Sequence, residues 1–159
     1  IERCNQVWEI DITYVPMARG FMYLTAIIDV YSRYIVGWGL SNTLDAASCL
    51  EVLRNAINQH GKPEIINSDQ GSQFTCRQYV EYLKTKGIKI SMDGKGRALD
   101  NIYIERFWRT IKYQHIHLFP AVDGLSLYMG IKKWLERYHY RSHQGIDRNK
   151  PSTLYLNAA

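Results

Sequence analysis

The chain has 159 residues, of which 46% are apolar and 13% aromatic, so it can build the core of one domain and is not a disordered protein. Its formal net charge of +5 is uneven, because residues 1–80 carry −2 and residues 81–159 carry +7. No apolar run approaches the ~18 residues of a membrane helix and no basic and apolar leader follows Ile1, so we expect neither a membrane span nor a secretory signal.

The basic second half favours a polyanionic partner, although a solvated helical surface would account for the charge equally well. Cys4, Cys49 and Cys76 are widely spaced and form no C-x-x-C pair, which argues against a disulfide framework or a cysteine zinc site and for a reducing cytoplasm. The chain does not begin with Met, so we expect it to be part of a longer protein.

The first third of the chain predicts three strands joined as an antiparallel meander. Gln6–Tyr14 alternates between apolar and polar residues, and its polar face consists of Glu9, Asp11 and Thr13. Phe21–Val30 is almost wholly apolar, which is typical of a strand buried on both faces, and Tyr34–Leu40 is the third strand.

From residue 43 the pattern changes to helices that alternate with short strands. Thr43 or Asp45 can cap a helix that ends at Gly61, and Thr75 can cap a second helix over Arg77–Lys86. The other predicted elements are strands at Glu64–Asn67 and Ile88–Ser91, a flexible basic loop at Asp93–Leu99, helices at about 100–114 and 125–138, and a polar tail from His139. This order predicts an α/β fold with a mixed sheet covered by helices.

Three carboxylates lie where such a fold could bring them to one edge of the sheet. Asp11 is in mid-strand, Asp69 directly follows a short strand, and Glu105 lies in the first turns of the long helix. Ligands usually bind at the carboxyl end of a strand in such a sheet, and Gly71 would let the backbone approach closely there. Hard oxygen ligands suit Mg²⁺ or Mn²⁺, and two such ions ~3.5–4 Å apart can clamp both oxygens of a phosphodiester displacement. Asp29, Asp93 and Asp100 remain alternative candidates.

The long helix carries two distinct faces. Glu105, Arg109 and Lys112 stand at i, i+4 and i+7 and share one face, which is either a phosphate-binding ridge beside a metal or an ordinary solvated Glu–Arg pair. The adjacent face is predicted to be core and consists of Ile104, Trp108 and Ile111.

The polar tail offers His139, Arg141 and His143 as phosphate contacts, although an ordinary solvated tail is equally compatible with these residues. The H-x3-H spacing of the two histidines has no cysteine partner and therefore makes a weak case for zinc.

Several motifs in order resemble the catalytic domain of Asp-Asp-Glu transposases, most closely the insertion sequence three family, which is related to retroviral integrases. Asp69 and Glu105 are separated by 35 residues, the spacing of that family's acidic residues. The motifs are Trp8–Tyr14, Ile28–Arg33 with Val36–Trp38, Asn67–Phe74, Ser91–Gly96, Asp100–Trp108 with Lys112, and Tyr138–Gly145 with Lys150 and Pro151.

The resemblance implies a ribonuclease H-like fold with a five-stranded mixed sheet. It implies Asp11, Asp69 and Glu105 as catalytic ligands of two Mg²⁺ or Mn²⁺ ions, with both aspartates bridging the ions. It places Lys112 near transposon-end DNA. The implied reaction is cleavage at element ends to free a 3′-hydroxyl, which then attacks another phosphodiester.

On this basis we expect residues 1–159 to be a single catalytic core domain, without the family's N-terminal helix-turn-helix region. The expected partners are transposon-end DNA, target DNA and further copies of the chain, with no membrane contact, in the bacterial cytoplasm at the nucleoid. The expected DNA contacts are Lys95, Arg97, Arg109, Lys112, Arg141 and His143.

Two positions depart from the family pattern: Asn67 stands where many members have His, and Arg106 where many have Ser. Two other functions stay open as alternatives. One is a ribonuclease H-like nuclease acting on RNA–DNA hybrids, and the other is a catalytically silent nucleic-acid-binding module.

Overall fold

A computed structural model of the chain describes residues 1–94 and 101–157. Its strands form one five-stranded mixed sheet in the order β3-β2-β1-β4-β5. Within it β1–β2 and β2–β3 pair antiparallel, whereas β1–β4 and β4–β5 pair parallel. The strands are β1 (Val7–Pro16), β2 (Phe21–Asp29), β3 (Ile35–Ser41), β4 (Ile65–Ser68) and β5 (Lys89–Met92).

Helices cover both faces of this sheet. The α-helices are α1 (Ala46–His60), α2 (Ser72–Thr75), α3 (Arg77–Thr85), α4 (Ile102–Ile111), α5 (Gly124–His139) and α6 (Pro151–Leu156). A π-helical turn, Lys112–Ile116, extends α4, and a 3₁₀ turn spans Gln144–Ile146. Across the two described ranges, no helix combines the length and hydropathy needed to cross a membrane.

The predicted meander and both later strands are confirmed, with their ends shifted by one or two residues. Asp45 caps α1, because its Oδ1 accepts the Ser48 N–H at 2.8 Å. The predicted Thr75 cap is wrong: Thr75 ends the short α2, and Cys76 is the N-cap of α3 without a capping side-chain hydrogen bond.

The apolar residues of β2 explain why the sheet is buried on both faces. Ile27 packs into the cluster beneath α1 and α3, whereas Ile28 packs into the cluster beneath α4 and α5. The close approach of α1 to β3 depends on glycine, because a Cβ on Gly39 would lie 2.8 Å from Val52 Cγ2.

The tail is not wholly polar loop, because Pro151 begins the short helix α6. Tyr155 of this helix is 5% exposed and stacks on Tyr34 with ring centroids 4.7 Å apart. Its hydroxyl donates to Asn5 Oδ1 at 2.7 Å. The helix therefore anchors the end of the described chain to the start of the domain.

Candidate active site

The polar face of β1 packs against α4 and the turn that follows it. Three side chains of β1, at every second residue, accept hydrogen bonds from donors at every fourth residue of the helix. The pairs are Ile104 N–H to Glu9 Oε2 at 2.7 Å, Trp108 Nε1–H to Asp11 Oδ2 at 3.0 Å, and Lys112 Nζ–H to Thr13 Oγ1 at 2.5 Å.

The carboxyls of Asp11 and Asp69 come together at this face. The parallel pairing of β1 with β4 ends at Glu9 opposite Asn67, and two more residues along each chain bring Asp11 beside Asp69. Burial, together with the adjacent Asp69 carboxyl, raises the pKa of Asp11 to about 6, against the hydrogen bonds from Trp108 and the Ile12 N–H. The predicted meeting of a mid-strand and a strand-end carboxylate is therefore present in the structure.

Gly71 holds Asp69 in place. Its N–H donates to Asp69 Oδ1 at 2.8 Å, and a Cβ at this position would lie 2.9 Å from the same oxygen. A side chain at position 71 would therefore collide with the Asp69 carboxylate, which glycine avoids.

Glu105 lies in the first turn of α4, exposed to solvent and one residue after the Ile104 amide that Glu9 binds. It stands three residues before Trp108, so it is a neighbour on the helix of the side chain that contacts Asp11. Among residues 1–94 and 101–157 no three His, Cys, Asp or Glu side chains converge into a metal-binding group. The structure thus brings two of the three predicted ligands together and leaves Glu105 outside the pair, so the three-residue set stays a prediction.

The predicted DNA contacts are distributed around this site. Arg109 is exposed, and in the described part of the chain Glu105 forms no ion pair with it. Lys112 turns back to Thr13, and burial lowers its pKa while Asp11 raises it. Lys95 and Arg97 lie outside the described residues, as does Asp100.

The tail residues lie against α5 and the extension of α4. Arg141 is exposed and donates to Gln114 Oε1 at 3.0 Å, and His143 Nε2 lies 3.0 Å from the Tyr138 carbonyl oxygen. For these two residues a DNA contact stays a prediction.

The phosphate contact suggested for His139 is wrong. Its Nε2 accepts the Ile35 N–H at 3.0 Å, and its ring stacks on Tyr34 with centroids 3.9 Å apart. Burial lowers the pKa of His139 to about 4, so the ring is neutral near pH 7 and serves the core.

Two of the alternative carboxylates have structural partners. Asp29 is fully buried and accepts hydrogen bonds from the Asn5 N–H, the Ser32 N–H and the Ser32 hydroxyl, at 2.6–2.9 Å, which fixes the turn into β3. Asp93 accepts from Asn67 Nδ2 at 2.9 Å.

Asn67 is a residue whose role the sequence did not predict. Its buried amide group donates both to Asp93 and to Asn101 Oδ1, the latter at 3.0 Å. Asn101 is the residue before α4 and has a left-handed backbone, with φ of 61°. One side chain of β4 therefore connects Asp93, the residue that follows β5, to Asn101, the residue that precedes α4.

Glu9 is the second residue that sequence reasoning missed. It is 4% exposed, and its carboxylate accepts from an amide of the first turn of α4, where helix N–H groups lack partners. Burial raises its pKa to about 7, against the hydrogen bonds from Ile104 and Tyr103 N–H. Its position two residues before Asp11 on the polar face was the available signal.

Comparisons relate this arrangement to known proteins. A family model described as integrase core domain matches residues 2–98, and a second with the same description matches residues 86–151.

Two transposases are similar in sequence to the chain. The transposase for insertion sequence element IS904 of Lactococcus lactis subsp. lactis (strain IL1403) is 35% identical over 151 residues, covering 92% of this chain and 60% of that protein. Transposase InsF for insertion sequence IS3A of Escherichia coli (strain K12) is 34% identical over 115 residues, covering 71% and 40%. The chain thus spans 40% to 60% of the length of these relatives. The predicted resemblance to insertion sequence transposases is confirmed.

Solved structures share the fold. The HTLV-2 integrase catalytic core domain in complex with magnesium (dimeric form) superposes with a TM-score of 0.76 at 18% identity, covering 96% of this chain and 97% of that one. A chain of the simian T-cell lymphotropic virus intasome in complex with PP2A regulatory subunit B56 gamma gives 0.82 at 16% identity, covering 96% and 55%. The predicted ribonuclease H-like fold is confirmed.

Two replacements of Glu9 distinguish the effect on stability of its hydrogen bond to α4 from the effect of its buried charge. Glu9→Ala removes the acceptor of the Ile104 N–H and should lower the free energy of unfolding by about 1–3 kcal/mol. Glu9→Gln keeps an acceptor without the charge. Because the pKa of Glu9 is raised from 4.5 to about 7, the wild type should lose stability relative to Glu9→Gln as the pH rises through this range.

Urea unfolding across this pH range measures both effects, with exposed Glu136→Gln as the matched control. Equal stability of the Ala and Gln variants would contradict a helix-capping role for Glu9.

His139 should make the protein less stable in acid. Its pKa falls from 6.5 in the unfolded chain to about 4 in the fold, so the unfolded state takes up a proton first. The free energy of unfolding should therefore fall as the pH drops from about 6.5 to 4, and His139→Gln should reduce that slope. NMR titration of the ring gives the midpoint directly. Exposed His117→Gln is the control, and a ring that titrates near 6.5 would refute the assignment.

Proposed function

The chain belongs to the integrase core domain family, and on that premise we propose that it is the catalytic core of a transposase. In this proposal it cleaves DNA at the ends of a mobile element and transfers the freed 3′-hydroxyl to a second phosphodiester. The observation that carries the proposal is the contact between the Asp11 and Asp69 carboxyls on the α4 side of the sheet.

This carboxylate pair suits a divalent cation. Burial and the repulsion of the Asp69 carboxyl both raise the pKa of Asp11, and a bound cation would offset that repulsion. Both groups offer hard oxygen ligands of the kind that Mg²⁺ and Mn²⁺ prefer. Asp11, Asp69 and Glu105 would hold two such ions. The ions would supply charge neutralisation of the reacting phosphodiester and activation of the attacking oxygen.

The chain's own residues position this chemistry. The Trp108 indole N–H fixes one oxygen of Asp11, and the Gly71 N–H fixes one oxygen of Asp69, so both carboxylates are oriented before substrate binds. Arg109 and Lys112 place two cations on the adjoining part of α4 and its extension, where they would bind phosphates of the strand being cut. Lys95, Arg97, Arg141 and His143 would add further phosphate contacts.

The wider setting belongs to the same proposal. The relatives are transposases of bacterial insertion sequences, which supports transposon-end and target DNA as partners in the bacterial cytoplasm at the nucleoid. One structural neighbour is described in a dimeric form and another in an intasome, which supports the action of several copies together. Residues 1–159 would be the single catalytic domain of this longer protein.

Glu105→Gln tests the role of the third carboxylate. In Mg²⁺, DNA strand cleavage by this chain should fall at least about a hundredfold, because an uncharged amide is a much weaker ligand than a carboxylate. DNA affinity and thermal stability should stay near wild type, since Glu105 is exposed. Nicking of a supercoiled plasmid measures the effect, and Glu136→Gln is the matched surface control.

Undiminished cleavage by Glu105→Gln would contradict the assignment. Preferential cutting of the RNA strand of an RNA–DNA hybrid by the wild type would favour the hybrid nuclease instead. A chain that cuts neither substrate in Mg²⁺ or Mn²⁺ would favour the silent binding module.

Metal binding tests the Asp11–Asp69 pair without reference to activity. Mn²⁺ affinity, measured by calorimetry, should fall at least about tenfold in Asp11→Asn. In the wild type it should also fall as the pH drops below about 6, because protonation of Asp11 competes with the metal. Asp147→Asn makes the same chemical change at an exposed residue and serves as the control. Equal affinity in Asp11→Asn and Asp147→Asn would remove Asp11 from the ligand set.

A further inference from the structure

Two guanidinium groups gather around one tyrosine on the side of α4 that faces away from Asp11. Arg33 Cζ lies 3.8 Å from the centroid of the Tyr103 ring, and Arg106 Cζ lies 5.8 Å from it. Arg33 comes from the turn between β2 and β3, whereas the other two residues belong to α4. A guanidinium stacked on a ring is oriented while the N–H donors at its edge remain available.

These residues line a cavity of about 200 Å³ between α4 and the 3₁₀ turn. Its lining also includes Thr110 and His143. At roughly 30 Å³ per water molecule, the volume corresponds to about six waters, which is room for a phosphate group. A second cavity of about 350 Å³ is lined by other residues around Arg33 and Tyr103 and shares these two side chains with the first.

The two guanidinium groups in this cavity form no direct ion pair within the described residues, and the Glu9 carboxylate acts on Arg33 only through its electrostatic field. In the same part of the chain the Arg33 guanidinium makes no hydrogen bond, although Arg33 is half-buried. Burial lowers the pKa of Arg33, and the nearby Arg106 also lowers it, whereas Tyr103, Tyr138 and the Glu9 carboxylate raise it. A half-buried guanidinium with unused donors is stabilised by an anion that accepts from it in a bidentate manner.

The position on α4 connects the cavity to the proposed site. Arg106 follows Glu105 directly, so its side chain leaves the helix about 100° further round. A DNA strand that reaches the carboxylates would cross a helix about 10 Å wide to reach the cavity, which is about three nucleotides of strand rise. Arg109 and Lys112 share the helix face of Glu105, whereas Arg106 lines the cavity.

We propose that Arg33, Arg106 and Tyr103 form a subsite for one backbone phosphate of the bound DNA strand, outside the phosphodiester that reacts. The choice of DNA as the ligand rests on the proposed function. The position of the subsite rests on the cavity and on its two guanidinium groups, which form no salt bridge among the described residues. Arg106 stands where many members of the family have Ser, so the positive charge at this position distinguishes this chain from those members.

The test compares Arg106→Gln with Arg54→Gln. Arg54 is an exposed arginine on α1 that lies over Tyr82 at 5.1 Å, so the control makes the same charge change in the same kind of ring contact, on the face of the sheet opposite α4. The affinity of this chain for a short DNA duplex is measured by fluorescence anisotropy across a series of salt concentrations. Thermal unfolding of each variant is followed in parallel.

Arg106→Gln should reduce the slope of log affinity against log salt by about 0.9, the value of one phosphate contact, and should weaken binding about threefold at low salt. Arg54→Gln should leave the slope unchanged. A slope for Arg106→Gln equal to that of wild type, or a reduction equal to that of Arg54→Gln, overturns the subsite.

Two further arms distinguish the failures. If inorganic phosphate protects Arg106 from chemical modification but DNA does not, the cavity takes free phosphate and the DNA subsite is wrong. If the wild type binds no duplex, the subsite falls together with the proposed function. If it binds and cuts DNA with an unchanged slope in Arg106→Gln, only the subsite falls.

Discussion

The match between β1 and α4 is the constraint on which the rest of the site depends. Two residues of a strand span about 6.7 Å and four residues of an α-helix about 6 Å, so side chains of the two elements can meet repeatedly along their length. Glu9, Asp11 and Thr13 meet Ile104, Trp108 and Lys112 in this way. A slip of β1 by one residue would turn all three side chains to the opposite face, which is occupied by the apolar cluster beneath α1.

This arrangement carries a cost in its metal-free form. Glu9 and Asp11 are both acidic and largely buried, and burial raises the pKa of each toward neutrality. Within the fold, the helix amide at Ile104 and the indole of Trp108 offset only part of that cost. A cation bound at Asp11 would offset the part of this cost that comes from its charge. Buried groups with strongly shifted pKa values of this kind are common at functional sites.

The sequence predicted the sheet and the elements that bring Asp11 and Asp69 together, because alternation in β1 and the turn after β4 are local signals. It did not predict that Glu9 binds the helix, since the partner of a polar strand face is set by packing between distant segments. The helix α6 was missed because six residues with one buried aromatic give no period, and His139 was misassigned because its burial depends on Tyr34 and Ile35. The helical spacing of Glu105, Arg109 and Lys112 placed Glu105 on one face of α4. That spacing does not specify how far Glu105 lies from Asp11 and Asp69.

The amide of Asn67 also has a consequence for insertions into the connection between β5 and α4. It joins Asp93 to Asn101 and thereby holds together the two ends of the connection from β5 to α4. For a connection whose ends are already fixed, each doubling of its length costs only about 0.6 kcal/mol of closure entropy. Insertions between these two anchors would therefore leave the start of α4 in the position that the contact with β1 requires.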